Sequence, residues 1–171
     1  MAQAARPLDQ QSAGLHDREG KYLTFTLADE DYGLEILKVR EIIGMLDITA
    51  IPQTPDYVKG VINLRGRVIP VIDLRLRFGL PAMEYGERTC IIVVDARTCL
   101  GTTQVGVVVD SVSEVLNVSG GDIEPPPAFG ARIDTGNILG IAKGKGTIKI
   151  LLDIDKVLAS EELAGLEGGI G

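Results

Sequence analysis

Gly60, Gly66 and Asp73 recur eighty positions later as Gly140, Gly146 and Asp153. Between them GRVIPVIDL (66–74) matches GTIKILLDI (146–154) in its apolar pattern. Upstream, GLEILKVREI (33–42) aligns with GVVVDSVSEV (106–115) as Gly-apolar-x-apolar-x-x-Val-x-Glu-apolar. A repeat restricts architecture more than any single motif, because the unit one copy forms the other must form too. Two apolar hairpins can look alike by chance in a Val/Ile/Gly-rich chain, but the constant offset across three positions favours duplication. The copies, expected over about 22–80 and 88–158, are each a five-strand unit of about 60–70 residues, near the lower limit for independent folding. The repeat alone fits two separate units and units that exchange strands equally well.

Composition says what the units are made of. Tryptophan is absent and aromatics are 4% of the chain, so the core must be Val, Ile and Leu. β-branched side chains are stiff and pack well on a pleated surface, which favours strands.

YLTFTLA (22–28) alternates with period two and reads as the first strand. ADEDYG (28–33) is a turn, and GLEILKV returns as a second strand or as a strand leading into a short helix. LDITAI (46–51) reads as a strand stopped by Pro52, and TPDYVKG (54–60) as one helical turn capped by Thr54 or Asp56. VINLRGRVIPVIDL (61–74) is a hairpin turning near Arg65-Gly66, and Pro70 within it asks for a sheet edge or a bulge. RTCIIVVDA (88–96), TQVGVVVDSV (103–112) and SEVLNV (113–118) are further strands. Residues 120–136 form a long connection stiffened by Pro125, Pro126 and Pro127. ILGIAKGKGTIKILLDI (138–154) is a second hairpin turning at Gly144-Lys145-Gly146, and DKVL with SEELAGL (160–166) suggests a C-terminal helix. Short strands with turns between them point to small barrels or a sandwich, not a βαβ sheet. Residues 1–20 read as a flexible leader, 21–165 as the domain and 166–171 as a tail.

The formal charge is −7 and the sequence pI about 4.7, which opposes nucleic-acid binding. No apolar run approaches the ~18–20 residues that cross a bilayer, and the leader lacks the apolar stretch of a signal peptide. Cys90 and Cys99, nine positions apart without CxxC spacing, allow a disulfide, but two reduced thiols of a cytoplasmic protein are the better reading.

The inventory for catalysis is poor. His16, the one histidine, lies in the leader, and no Cys, His or carboxylate spacing suits a metal, so no cofactor is expected. Asp73, Asp110 and Asp153 each end an apolar run and could form an acid/base set, though capping of strand ends and turns is far commoner. GIAKGKGT (140–147) is one residue short of a phosphate loop and has Gly146 where Ser or Thr should follow Lys145. Arg65, Arg67, Arg75 and Arg77 form the local basic cluster, either a solvated face or a partner-binding one.

TFTLADEDYGLEILKVREI, the TP-x-YVKGVINLRGRVIPVIDLRLRFG run and GVVVDSVSEVL resemble the CheW family over roughly residues 20–165. The most specific element is KGVINLRGxxIPVIDL. The resemblance implies an all-β fold of two SH3-like five-stranded barrels sharing a core, with a short C-terminal helix. It implies a non-catalytic adaptor that joins the cytoplasmic hairpin tip of a chemoreceptor to the regulatory domain of a CheA histidine kinase, in the cytoplasm at receptor arrays, with no nucleic acid and no membrane insertion. By position in the motif, the receptor-facing groove involves Ile36, Val39, Glu41, Lys59, Gly60, Asn63, Arg65 and Val115. For Ile36 and Val39 the residues themselves allow ordinary core as well. The kinase-facing positions are Ile48, Thr89, Cys90 and Gly106 on one interface and Phe129 on a second. The chain departs from the family pattern at PPPAFGAR, at Glu124, where a basic residue is common, and around DARTCLG (95–101), which lengthens one hairpin. Two rivals remain: a scaffold of a non-chemotaxis array such as a twitching-motility or biofilm system, and a small enzyme or ligand-binding barrel.

Overall fold

The structure, a computed structural model, describes residues 18–98, 101–126, 135–144 and 146–159. β1 (Gly20–Leu27) and β2 (Glu30–Glu35) form a hairpin closed by Ala28 and Asp29, both with positive φ. Two such residues make the turn whose twist matches that of the strands. Ala28 is an unusual residue for that backbone, and its N–H is held by a bond to Asp110 Oδ2 at 2.9 Å.

A 3₁₀ turn, Ile36–Lys38, leads into β3 (Val39–Gly44). β4 (Val58–Leu64) and β5 (Arg67–Asp73) pair across Arg65 and Gly66, again both at positive φ, with Asn63 Oδ1 accepting from Gly66 N at 2.8 Å. A one-turn helix, Leu74–Arg77, follows. The second half runs through β6 (Cys90–Thr98), β7 (Gly101–Val109), β8 (Ser111–Val118), β9 (Ile123–Glu124), β10 (Ile138–Gly144) and β11 (Thr147–Leu152), and then the short helix Ile154–Leu158.

The strands form a six-stranded sheet, β8-β1-β2-β11-β10-β9, and a five-stranded sheet, β3-β6-β7-β5-β4. Each sheet draws on both halves of the chain. Two parallel pairings do the exchange: β5 lies beside β7 with Val71 opposite Gly106, and β11 lies beside β2 with Leu151 opposite Gly33. The two registers are repeat equivalents of each other, so each half lends the other a strand in the same way. The repeat extends to finer detail. β4 bulges between Val58 and Gly60, and β10 between Ile138 and Gly140. Asp73 N donates to Tyr57 O and Asp153 N to Asn137 O, both at 2.8 Å. Both aspartates cap the helix that follows, Asp73 accepting from Arg75 N and Leu76 N, and Asp153 from Lys156 N.

Three apolar clusters follow from this topology. The largest lies between the sheets and includes Phe25, Leu34, Ile72, Ile92, Val107 and Leu152, from both halves. A second fills the inside of the five-stranded sheet with Ile62, Leu64, Ile69, Val71, Ile91, Val93 and Val108. The third, inside the six-stranded sheet, is smaller: Tyr22, Ile123, Ala142 and Leu151. The all-β expectation therefore holds, with six and five strands.

Several local expectations are corrected. LDITAI is not a strand; it makes one bridge, Thr49 to Val61, because Leu46, Asp47, Thr49 and Ala50 are exposed and offer no buried face. TPDYVKG is a turn rather than a helical turn: Val58 already belongs to β4, and Thr54 Oγ1 donates to Ile51 O instead of capping. β5 is flanked by β7 and β4, but its ladder with β7 begins at Val71, so Pro70 has no ladder donor to supply on that side. β1 begins at Gly20, and Glu19 already accepts from Gly120 N at 2.9 Å. The helix expected from DKVL is Ile154–Leu158, while SEELAGL, the turn residue Lys145, Phe129, His16 and Cys99 lie outside the described residues.

Candidate protein-interaction site

Glu41 on β3 and Arg65 at the β4–β5 tip form an ion pair through Oε1 and an Arg65 guanidinium nitrogen. β3 and β4 are the two end strands of their sheet, so this pair joins edges that the strand order leaves apart, and the sheet curls. Arg65 is two-thirds exposed at 68%, with its backbone fixed at φ 53, so the guanidinium stands at a rigid tip. Asn63, on the same hairpin, is exposed and holds the turn.

Gly60 is buried at φ 138, and a Cβ there would stand 2.0 Å from Thr49 O. The close approach lets Thr49 and Val61 exchange two backbone hydrogen bonds of 2.9 Å. Lys59 places its ammonium 5.9 Å from the centre of the Tyr85 ring. Tyr85 in turn donates to Asp73 Oδ2 at 2.9 Å, and burial together with that carboxylate pushes its phenol well above the ordinary 10.0.

Ile36 and Val39 are half-buried and pack on the shared core, so part of each side chain is core and part faces out. Leu37 between them is 91% exposed. Sequence reasoning passed over it; the signal was the break in period two at the 3₁₀ turn. Ile42 and Val68 are further exposed apolar residues near this corner in sequence and sheet. Val115 is half exposed but stands on β8, the end strand of the other sheet. The expected receptor-facing residues thus fall on the β2–β3 segment and β4–β5 hairpin, with Val115 on β8, separated from β2 by β1 alone.

The other expected set is mixed. Ile48 packs on the interior of the five-stranded sheet. Thr89 is buried, its Oγ1 accepting from Gly86 N at 2.8 Å. Cys90 is a free, half-buried thiol whose pKa burial pushes up. Gly106 lies mid-sheet between Val71 and Val93, where a Cβ would come 2.8 Å from Ile91 Cγ2. Glu124 is paired with Lys143 at 3.0 Å.

The aspartates do structural work. Asp73 and Asp153 are caps, and Asp110 accepts from Ala28 N and Arg75 Nε. The four arginines are not one patch. Arg65 and Arg67 are at the hairpin tip, and Arg75 and Arg77 lie past the far end of β5, about 20 Å of strand away. Arg77 donates to Val157 O at 3.0 Å and lies 5.2 Å over the Tyr57 ring. Among the described residues no group of three or more His, Cys, Asp or Glu could hold a metal ion, and no helix is long and apolar enough to cross a membrane.

The CheW-like domain family matches residues 21–162. The chain is 44% identical over 144 residues to chemotaxis protein CheW of Klebsiella aerogenes, covering 84% of each. It is 37% identical to chemotaxis protein CheW of Rhizobium meliloti, covering 82% of this chain and 88% of that one. Among solved structures it is similar to the scaffolding protein TtCheW of Thermoanaerobacter tengcongensis, with a TM-score of 0.74, 38% identity, and coverage of 84% of this chain and 95% of that one. With a family match over most of its length, and relatives this similar over more than four-fifths of it, the chain belongs to the CheW family of non-catalytic chemotaxis scaffolding proteins.

Proposed function

We propose that this chain couples the cytoplasmic hairpin tip of a chemoreceptor to the regulatory domain of a CheA-type histidine kinase, in the cytoplasm at membrane-associated arrays. The observation that carries the reading is the Glu41–Arg65 corner, a fixed, exposed ion pair on the same sheet as outward apolar side chains. A receptor helix has an apolar stripe and charged flanks, and a groove that receives it needs apolar contacts plus charges that set register. Ile36, Val39 and Val115 supply apolar contact, Glu41, Lys59, Asn63 and Arg65 supply polar register, and Gly60 allows the close Thr49 approach that shapes the strand.

On the kinase side Ile48 and Cys90 have partly exposed surface, Phe129 marks a second interface, and Thr89 and Gly106 act by shaping β6 and β7 from within. The test is co-sedimentation of the chain with receptor fragments and the kinase, with kinase activity as the readout. Receptor-controlled kinase activity that requires this chain is the expected result. Failure to bind either partner overturns the reading.

A further inference from the structure

The first repeat adds a tyrosine to a cap that both repeats share. Asp73 and Asp153 each cap the short helix that follows them. Asp73 is buried, and its Oδ2 also accepts from the Tyr85 hydroxyl at 2.9 Å. Its Oδ1 takes Arg75 N and Leu76 N, at 2.9 and 3.4 Å, so both carboxylate oxygens are engaged. Tyr85 belongs to the connection between the repeats, residues 78–89, which has no helix or strand. That connection is tied down all the same. Arg75 donates through Nη1 to Pro81 O at 2.8 Å and through Nη2 to Met83 Sδ at 3.5 Å, and Gly86 N donates to Thr89 Oγ1 at 2.8 Å. With a buried acceptor at its hydroxyl and tied backbone on both sides, the Tyr85 ring is fixed in place.

Lys59 lies against that ring. Its ammonium is 5.9 Å from the ring centre, within the ~6 Å reach of a cation–π attraction. Lys59 pairs with no carboxylate among the described residues. The fold does not ask for a lysine here: the repeat equivalent is Leu139, which packs on the third apolar cluster. Lys59, Val61 and Asn63 alternate with buried Val58, Gly60, Ile62 and Leu64, so Lys59 and Asn63 share the outer face of β4. A free lysine loses rotamer freedom when a partner takes it, and one already held against a ring loses less. The ring also holds the cation without cancelling its charge, which a carboxylate in that place would do.

We propose that Tyr85 is a positioning residue for receptor recognition: anchored on Asp73, its ring holds the Lys59 ammonium at the outer face of β4, ready for a carboxylate on the receptor helix. The inference rests on the coupling function proposed above and adds to it a residue from the connection between the repeats.

The test is the affinity of the full-length chain for a soluble cytoplasmic receptor fragment. The variants are Lys59→Met, Tyr85→Leu, Tyr85→Phe and both tyrosine changes in the Lys59→Met background, each checked for a parental melt. Lys59→Met should weaken binding about fivefold. Tyr85→Leu should weaken it about threefold. Neither tyrosine change should add to the loss in the Lys59→Met background, because Tyr85 acts only through the lysine. Tyr85→Phe keeps the ring and drops the Asp73 bond, so it should fall between the parent and Tyr85→Leu. In the free parent the ring should shift the Lys59 ε-methylene protons upfield, and Tyr85→Leu should abolish that shift.

Parental affinity in Tyr85→Leu, or the same loss from it with and without Lys59, overturns the role of Tyr85. If Tyr85→Leu does not fold, Tyr85→Phe decides by the same comparison. Parental affinity in Lys59→Met, with Arg65→Asp still abolishing binding, overturns this inference and leaves the coupling function standing. A parent that binds no receptor overturns both.

Discussion

Arg75 Nε donates to both carboxylate oxygens of Asp110, at 2.9 and 3.1 Å, with the side chains 13% and 17% exposed. The pair ties the helix that ends the first repeat to the corner between β7 and β8 of the second. That hydrogen bond is the main reason the guanidinium is held above its ordinary pKa. Arg75→Ala should cost about 3 kcal/mol, because Asp110 is left largely buried without its cation. Urea unfolding measures the loss, and a cost below about 1 kcal/mol would show that the contact is not a major tie between the repeats.

The Glu41–Arg65 pair should behave in the opposite way. With Arg65 68% exposed, Arg65→Asp should change stability by no more than about 1 kcal/mol while abolishing receptor co-sedimentation. A folded variant that sediments normally with receptor removes this corner from the proposed groove.

Gly60→Ala should cost about 3 kcal/mol or more, since the residue has φ 138 and its new Cβ would meet backbone oxygen rather than a movable side chain. Gly144→Ala should be nearly neutral, because no atom lies within 4 Å. Paired thermal melts of the two variants make the comparison.

Glu35 carries the clearest pH dependence. Burial raises its carboxyl pKa above the ordinary 4.5, with Asp153 and Asp155 adding to the shift and Lys38 and Arg18 opposing it. The folded state therefore holds this proton more tightly than the unfolded chain does. The stability gained from it is fully present below the unfolded pKa and is lost as pH rises through the folded one. Glu35→Gln has no such loss, so its advantage over the parent should grow as pH rises above 4.5 and then level off. Urea midpoints of both proteins across that range give the test; a constant difference would contradict the raised pKa.

The reciprocal strand exchange predicts that neither half folds alone. Separate fragments 18–86 and 87–159 would each lack a parallel partner, β7 for β5 and β2 for β11. Each should show no cooperative melt, and an equimolar mixture should regain one by circular dichroism.

Much of the architecture was legible before any coordinates. Period-two runs located β1, the β4–β5 hairpin and β6 to β8, and Arg65-Gly66 marked its turn because the backbone there needs positive φ. LDITAI misled because a β-rich composition is necessary for a strand but not sufficient, and this segment has no sheet face to bury. At the candidate site, Arg65 and Asn63 were legible as a hairpin tip, whereas their relation to Glu41 was not. That contact spans 24 positions and exists only because the sheet curls. The break in period two at Leu37 was legible, but which way the side chain points out of the 3₁₀ turn was not.

The sequence by itself determined that the chain is a duplicated β-protein of the CheW family, since spacing and side-chain pattern are local properties of the chain. Only the tertiary structure decided how the copies combine. The same 66–74 and 146–154 segments could have closed on their own halves, but β5 joins β7 and β11 joins β2, burying one apolar core between the sheets. Packing also decided that equivalent positions differ in outcome: Leu64 is core, while Gly144 is exposed. Pattern records which side chains face inward; only the packed fold shows whether they meet.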